Sequence, residues 1–162
     1  MNEDLSPRKV RRAAFASRIQ AETAIDDNVI ERLVRGFYAR VRDDDILGPI
    51  FATRIKDWEP HLQKMCDFWS SVALMSGRYH GKPMAMHIPL PVDARHFDRW
   101  LALFEATAQE LCPSSAANHF IRLAHRIAET LKLGMAGERG LLPGASERSS
   151  ADRRTGLPRP WA

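Results

Sequence analysis

One stretch of the chain holds a possible metal ligand in a setting that would keep it still. His80-Gly81-Lys82-Pro83-Met84-Ala85-Met86-His87-Ile88-Pro89-Leu90-Pro91 is too rich in Pro and Gly to form much helix. His87 has Met86 and Ile88 beside it, and Pro89 and Pro91 fix the chain behind it. A neutral imidazole can coordinate a metal through one nitrogen while the other donates to a carbonyl that fixes the ring. The carbonyls of Pro83 and Met84 are the candidate acceptors. Taken alone, His87 reads more simply as a loop residue capping a helix end. Three further side chains, Tyr38, His61 and Trp100, combine an aromatic body with a polar group, and buried hydroxyls and indole N–H groups need partners.

The elements that would position these groups are helical. Asp26 or Asp27 can cap a helix over about 27–43, in which Val29, Ile30, Leu33, Val34, Phe37, Tyr38 and Val41 recur at spacings of three and four. Asp43-Asp44-Asp45 then places negative charge where the helix dipole disfavours it. Leu47-Gly48-Pro49-Ile50-Phe51 reads as an apolar turn. Asp57 opens a second helix whose stripe is Trp58, His61, Leu62, Met65, Phe68, Trp69, Val72 and Ala73, running to about Ser76 with Gly77 as a stop. Asp93 caps a third, with Phe97, Trp100, Leu101, Phe104, Ala108 and Leu111 on one face and Pro113 at its end. Ser114 or Ser115 opens a fourth, with Phe120, Ile121, Ala124, Ile127, Ala128 and Leu131 aligned before Gly134. Tyr38, His61 and Trp100 fall on or beside the inward faces, and the His87 segment crosses the same space. One coordinating nitrogen opposite three hydrogen-bonding side chains is an arrangement suited to haem and a diatomic ligand.

The three parts expected are a basic, flexible extension over residues 1–22, a helical domain over 23–134 and a disordered tail over 135–162. Residues 1–22 could form a short helix but show no clear apolar stripe. The net charge of +4 resides in the two ends: 1–22 carry five Lys/Arg and three Asp/Glu, 134–162 carry five and three, and 23–133 carry fourteen of each. A balanced core argues against a fold that binds nucleic acid. Cys66 and Cys112 stand far apart, which is no disulfide framework. There is no apolar run of about 18 residues and no secretory signal, so the expectation is a cytoplasmic protein without a membrane partner. His61, Cys66, His80, His87 and His96 show no tight zinc spacing.

Residues 26–134 resemble the truncated haemoglobins, specifically their group III. The resemblance is carried by Phe37-Tyr38 with Val41-Arg42; Leu47-Gly48-Pro49-Ile50-Phe51; Trp58-Glu59-Pro60-His61; Phe68-Trp69; Gly81-Lys82-Pro83 running to His87 and Leu90-Pro91; and Phe97 with Trp100-Leu101-Ala102-Leu103-Phe104-Glu105. Groups I and II typically carry Gly-Gly pairs at two helix ends, and none occurs here. The resemblance implies an all-α, shortened globin fold, two helices over two, around haem b. It implies His87 as the iron ligand, Tyr38 and Trp100 as donors to bound ligand, and His61 as a distal residue that gates more than it donates. Phe51 would pack on the haem plane, Met65 and Phe68 would line the distal side, and Phe37 would be a further haem contact. Leu90 would also contact the haem. Where the family often has a basic residue just before the proximal histidine, Met86 stands, so Lys64 and Arg78 become the candidates for the propionates.

The function this implies is binding of O2, NO, CO or peroxide by a monomer, for NO or peroxide detoxification more than for O2 delivery or transport. A haem-based NO dioxygenase or peroxidase-type activity would need an external reductase. The rival is a small helical module that binds a partner or nucleic acid through its Arg-rich ends.

Overall fold

The computed structural model describes residues 6–83 and 90–138. Among these, six helices form: α1 (Pro7–Thr23), α2 (Asp27–Asp43), α3 (Gly48–Arg54), α4 (Trp58–Leu74), α5 (Ala94–Leu111) and α6 (Ser114–Glu138). The fold is all-α. Helix α2 packs on α4 and α5, α5 packs on α6, and α4 closes onto α6, giving two helices laid over two.

The caps expected from the sequence set the helix starts. The Asp26 carboxylate accepts the Val29 N–H at 2.9 Å, and the inward face of α2 is the stripe Val29, Ile30, Leu33, Val34, Phe37, Tyr38, Val41. Asp93 accepts the Arg95 N–H at 2.9 Å, and His96 Nδ1 accepts the N–H of Asp93 at 3.0 Å. This reciprocal cap engages His96 Nδ1 at the start of α5. Asp57 stands at the N-cap of α4, but its side chain makes no capping bond. Helix α4 stops at Leu74, two residues short of the expected Ser76. Met75 there adopts the left-handed conformation at φ 54° and donates to the Ser71 carbonyl at 3.0 Å.

Three departures from the sequence reading have physical causes. The apolar turn at 47–51 is the start of a helix, α3, with Pro49 in its first turn, where a missing N–H costs nothing. Asp44 does not oppose a dipole. It leaves α2 as its C-cap, is buried, and accepts the N–H groups of Ile46 at 3.1 Å and Leu47 at 3.0 Å and the Arg99 guanidinium at 2.8 Å. Helix α6 runs through Gly134 to Glu138, and Met135 is 3% exposed, so the folded unit extends beyond the boundary drawn at 134.

The N-terminal extension is helical from Pro7. Its second half turns Phe15, Ala16 and Ile19 toward α4 and α6, and Ser115 Oγ donates to the Thr23 carbonyl at 3.3 Å. No helix among the described residues is long and apolar enough to cross a membrane.

Candidate functional site

Helices α2, α3, α4 and α5 bring most of the predicted site residues to one aromatic wall. Tyr38 is at its centre, 5% exposed. Its ring meets His61 edge-on at 5.1 Å, Phe51 at 5.9 Å and Trp58 at 6.0 Å, centroid to centroid. The wall continues through Phe37, which lies 5.0 Å from Tyr38 and 5.4 Å from Trp100. Trp100 stacks on Phe104 at 5.3 Å, and Phe104 stacks on Trp69 at 4.8 Å. Phe37 is fully buried behind the wall, while Phe51, His61, Met65, Phe68 and Trp100 are half-buried. A half-buried row of large apolar and aromatic side chains above a fully buried core is a surface suited to a flat, mostly apolar group.

One polar atom on this wall is not served by the described residues. His61 Nε2 is buried and has no hydrogen-bond partner among the described residues. Burial, and then the charge of Lys64, lower the His61 pKa and keep the ring neutral at neutral pH. Burial pushes the Tyr38 hydroxyl well above its ordinary range, with a smaller contribution from Tyr79, so it stays a protonated donor. A neutral imidazole and a protonated phenol, side by side in an apolar setting, can orient a small dipolar ligand without offering it a charge. The unpartnered nitrogen and the half-buried aromatics therefore fit a haem with a diatomic ligand on this side.

The structure separates the remaining predicted residues. His87, the predicted iron ligand, lies outside the described residues, as do Met84 and Met86. Leu90 is half-buried at the foot of α5, where its carbonyl accepts the Val92 N–H at 2.9 Å. Lys64 is exposed on α4, near enough to His61 to act on its charge. Arg78 is paired with Asp27 at 3.0 Å and lines a groove under α1. Among the described residues, no cluster of His, Cys, Asp or Glu forms a metal site.

Two residues belong to the wall that the sequence reading left out of the site. Trp58 stands among Tyr38, Phe51 and His61, with the Arg42 guanidinium 4.7 Å above its ring. Its place in the α4 stripe was visible, but its lean toward α3 was not, because α3 itself was read as a turn. Tyr79 packs edge-on against Phe68 at 5.2 Å, and its N–H donates to Ser71 Oγ at 2.9 Å. It follows the end of α4, so helical periodicity carried no signal for it.

Comparison with known proteins agrees with this geometry. A family profile described as "Bacterial-like globin" matches residues 24–132. The Group 3 truncated hemoglobin ctb of Campylobacter jejuni is 34% identical over 109 residues, which span 64% of this chain and 86% of that protein. The Group 2 truncated hemoglobin YjbI of Bacillus subtilis is 28% identical over 81 residues, spanning 49% of this chain and 61% of that one. The crystal structure of the group III truncated hemoglobin from Campylobacter jejuni superposes with a TM-score of 0.65 at 32% identity, covering 68% of this chain and 91% of that one. Globins as a family bind small gaseous ligands through haem. The chain belongs to the bacterial-like globins and, among them, to the group III truncated haemoglobins.

Proposed function

We propose that this globin binds haem b against the aromatic wall, with His87 as its iron ligand, and uses it for chemistry on O2, NO, CO or peroxide more than for O2 delivery. The observation that carries the reading is the buried Nε2 of His61, without a partner among the described residues, beside Tyr38. A buried polar atom left without a partner costs about 1–3 kcal/mol, and a ligand held against this wall would supply one. Haem, when bound, supplies the iron that takes the ligand and carries its redox chemistry. The chain's own part is placement and polarity. Phe51, Met65 and Phe68 supply the apolar lining, Tyr38 and Trp100 supply donors, and His61 stands neutral at the distal side with Trp58 and Arg42 outside it. Donors of this kind slow release of a polarised ligand, and slow release suits detoxification of NO or peroxide better than delivery.

Titration of the purified protein with haemin tests the reading. A Soret band that saturates at one haem per chain is expected, and its absence would overturn the proposal. His87→Ala should lose haem and recover it with added imidazole, whereas His61→Ala should keep haem. The reverse pattern would assign the iron to His61.

A further inference from the structure

Side-chain caps start α1 at Ser6, α2 at Asp26 and α5 at Asp93. Helix α4 has none, since Asp57 makes no capping bond, and its first turn depends on what packs against it. Two arginines of α2, Arg35 and Arg42, lie two helical turns apart on one face and provide the grip. Arg35 donates two bonds to the exposed Glu59 carboxylate, at 2.7 and 3.1 Å. Arg42 lays its guanidinium over the ring of Trp58, the first residue of α4, 4.7 Å from the ring centre.

The two grips differ in what they reach. Arg35 holds a surface carboxylate, whereas Arg42 holds a ring of the wall. Tyr38, Trp58 and His61 form a triangle of rings with centroids 5.1, 5.7 and 6.0 Å apart. The imidazole stands edge-on to both of the others, at 85° to Tyr38 and 89° to Trp58. Exposure falls along the series: Arg42 is exposed, Trp58 is half-buried, His61 has a buried Nε2, and Tyr38 is buried. At this corner Trp58 and His61 therefore fill the way from solvent to Tyr38.

A cation over an aromatic face attracts it, and the arginine stem covers apolar surface beside it. With Arg42 in place the Trp58 ring is held down, and the imidazole that leans on it has little room to swing. We infer that Trp58, held by Arg42, is a positioning residue for His61: it keeps the imidazole against Tyr38 and so sets how fast a small ligand reaches the wall. Its effect on ligand entry rests on the haem reading above; the hold of Trp58 on His61 is a property of the chain alone. Arg42 acts only through Trp58.

The test has two arms on the full chain. The first needs no haem and follows the His61 imidazole by NMR as pH is varied. Burial, ahead of Lys64, lowers the His61 pKa from 6.5, and Trp58→Leu removes a covering ring without changing any charge. The His61 midpoint should rise toward the ordinary value in W58L, and rise less in W58F, which keeps a ring. The second arm measures CO association with the haem-loaded ferrous chain after flash photolysis, because CO depends little on hydrogen-bond donors. Arg42→Met keeps the stem and removes the charge, and should speed CO association roughly two- to fivefold. R42K, which keeps a cation, should stay near the natural rate. Arg35→Met frees Glu59 but leaves Trp58 under Arg42, and should leave the rate unchanged. In a His61→Leu background R42M should lose its effect, because the residue acted upon is gone. An unmoved His61 midpoint in W58L, a natural CO rate in R42M, an equal acceleration in R35M, or an R42M effect undiminished in H61L would overturn the inference. R42M changes an exposed side chain, so the rates decide the matter even where W58L does not fold. A chain that takes up no haem fails the haem reading alone, and the NMR arm then decides whether Trp58 holds His61.

Discussion

Tyr38 meets four other rings and also carries the donor that a polarised ligand would use. Its replacement by Phe keeps the ring contacts and removes only the hydroxyl, so the effect falls on release and not on packing. Loss of one charge-assisted bond of about 1.5–3 kcal/mol should speed O2 dissociation roughly ten- to a hundredfold. CO is less polar when bound and should respond far less. Trp100→Phe should act in the same direction, with a change in association as well, since the Trp100–Phe104 stack is disturbed and space opens. Stopped-flow rates for both ligands separate lost bonds from altered access. Unchanged O2 release in both variants would leave Tyr38 and Trp100 as core residues only. His61 adds a pH signature. Its pKa is lowered from the ordinary 6.5, so acid must go below the usual histidine range before the ring is charged. Ligand kinetics at the wall should stay flat through neutral pH and change only under acid, and His61→Leu should abolish that change.

At the scale of elements, the corner between α2 and α3 fixes how Phe51 is presented to Tyr38. A Cβ on Gly48 would lie 2.8 Å from the Arg42 carbonyl, a backbone atom that cannot swing aside. Gly48→Ala should therefore push α3 outward, cost on the order of 1–3 kcal/mol, and weaken haem retention more than a surface change of equal size. Gly36 makes the opposite case: the clash there is with the flexible end of Leu111, so Gly36→Ala should be milder. Asp44 ties the same corner to α5 through Arg99, one residue before Trp100. Arg99, followed by the Leu47 and Ile46 N–H groups, holds the Asp44 carboxyl below the ordinary 3.8. A depressed folded pKa means a contribution that is complete above the unfolded value and lost as pH falls through the folded one. Asp44→Asn should cost about 2 kcal/mol at neutral pH and flatten the acid limb of a thermal-melt profile. An unaltered acid limb would mean that Asp44 does not carry it. Helices α2, α4, α5 and α6, their inward stripes and the Asp26 and Asp93 caps were legible because apolar spacing and Asp caps are local signals. The α2–α3 corner was not, since Asp44 finds Arg99 55 positions away and a three-aspartate run carries no mark of its partner. The family was legible from short motifs in order, but the lean of Trp58 and the placement of Tyr79 depend on tertiary packing alone.

For the whole molecule, the two halves of α1 differ in what they do for stability. Removing residues 1–14 takes away only exposed side chains in the described part and should leave the melting temperature nearly unchanged. Removing 1–22 also takes Phe15, Ala16 and Ile19, which pack on the core; burying one such side chain is worth about 1.5–3 kcal/mol, so the melt should fall by several degrees. Similar melts for both truncations would show that α1 does not brace the fold.

The stack of Trp69, Phe104 and Trp100, with Trp58 nearby on the same wall, also gives the protein an optical property. Trp58, Trp69 and Trp100 belong to the folded helices. Trp69, 2% exposed, sits in an apolar surrounding that shifts indole emission to the blue and shields it from a soluble quencher. Haem absorbs where indole emits, so excitation reaching any of these rings drains into a haem held against them. Added haemin should therefore darken the intrinsic fluorescence in proportion to occupancy and reach a plateau at one equivalent, while the remaining emission resists acrylamide.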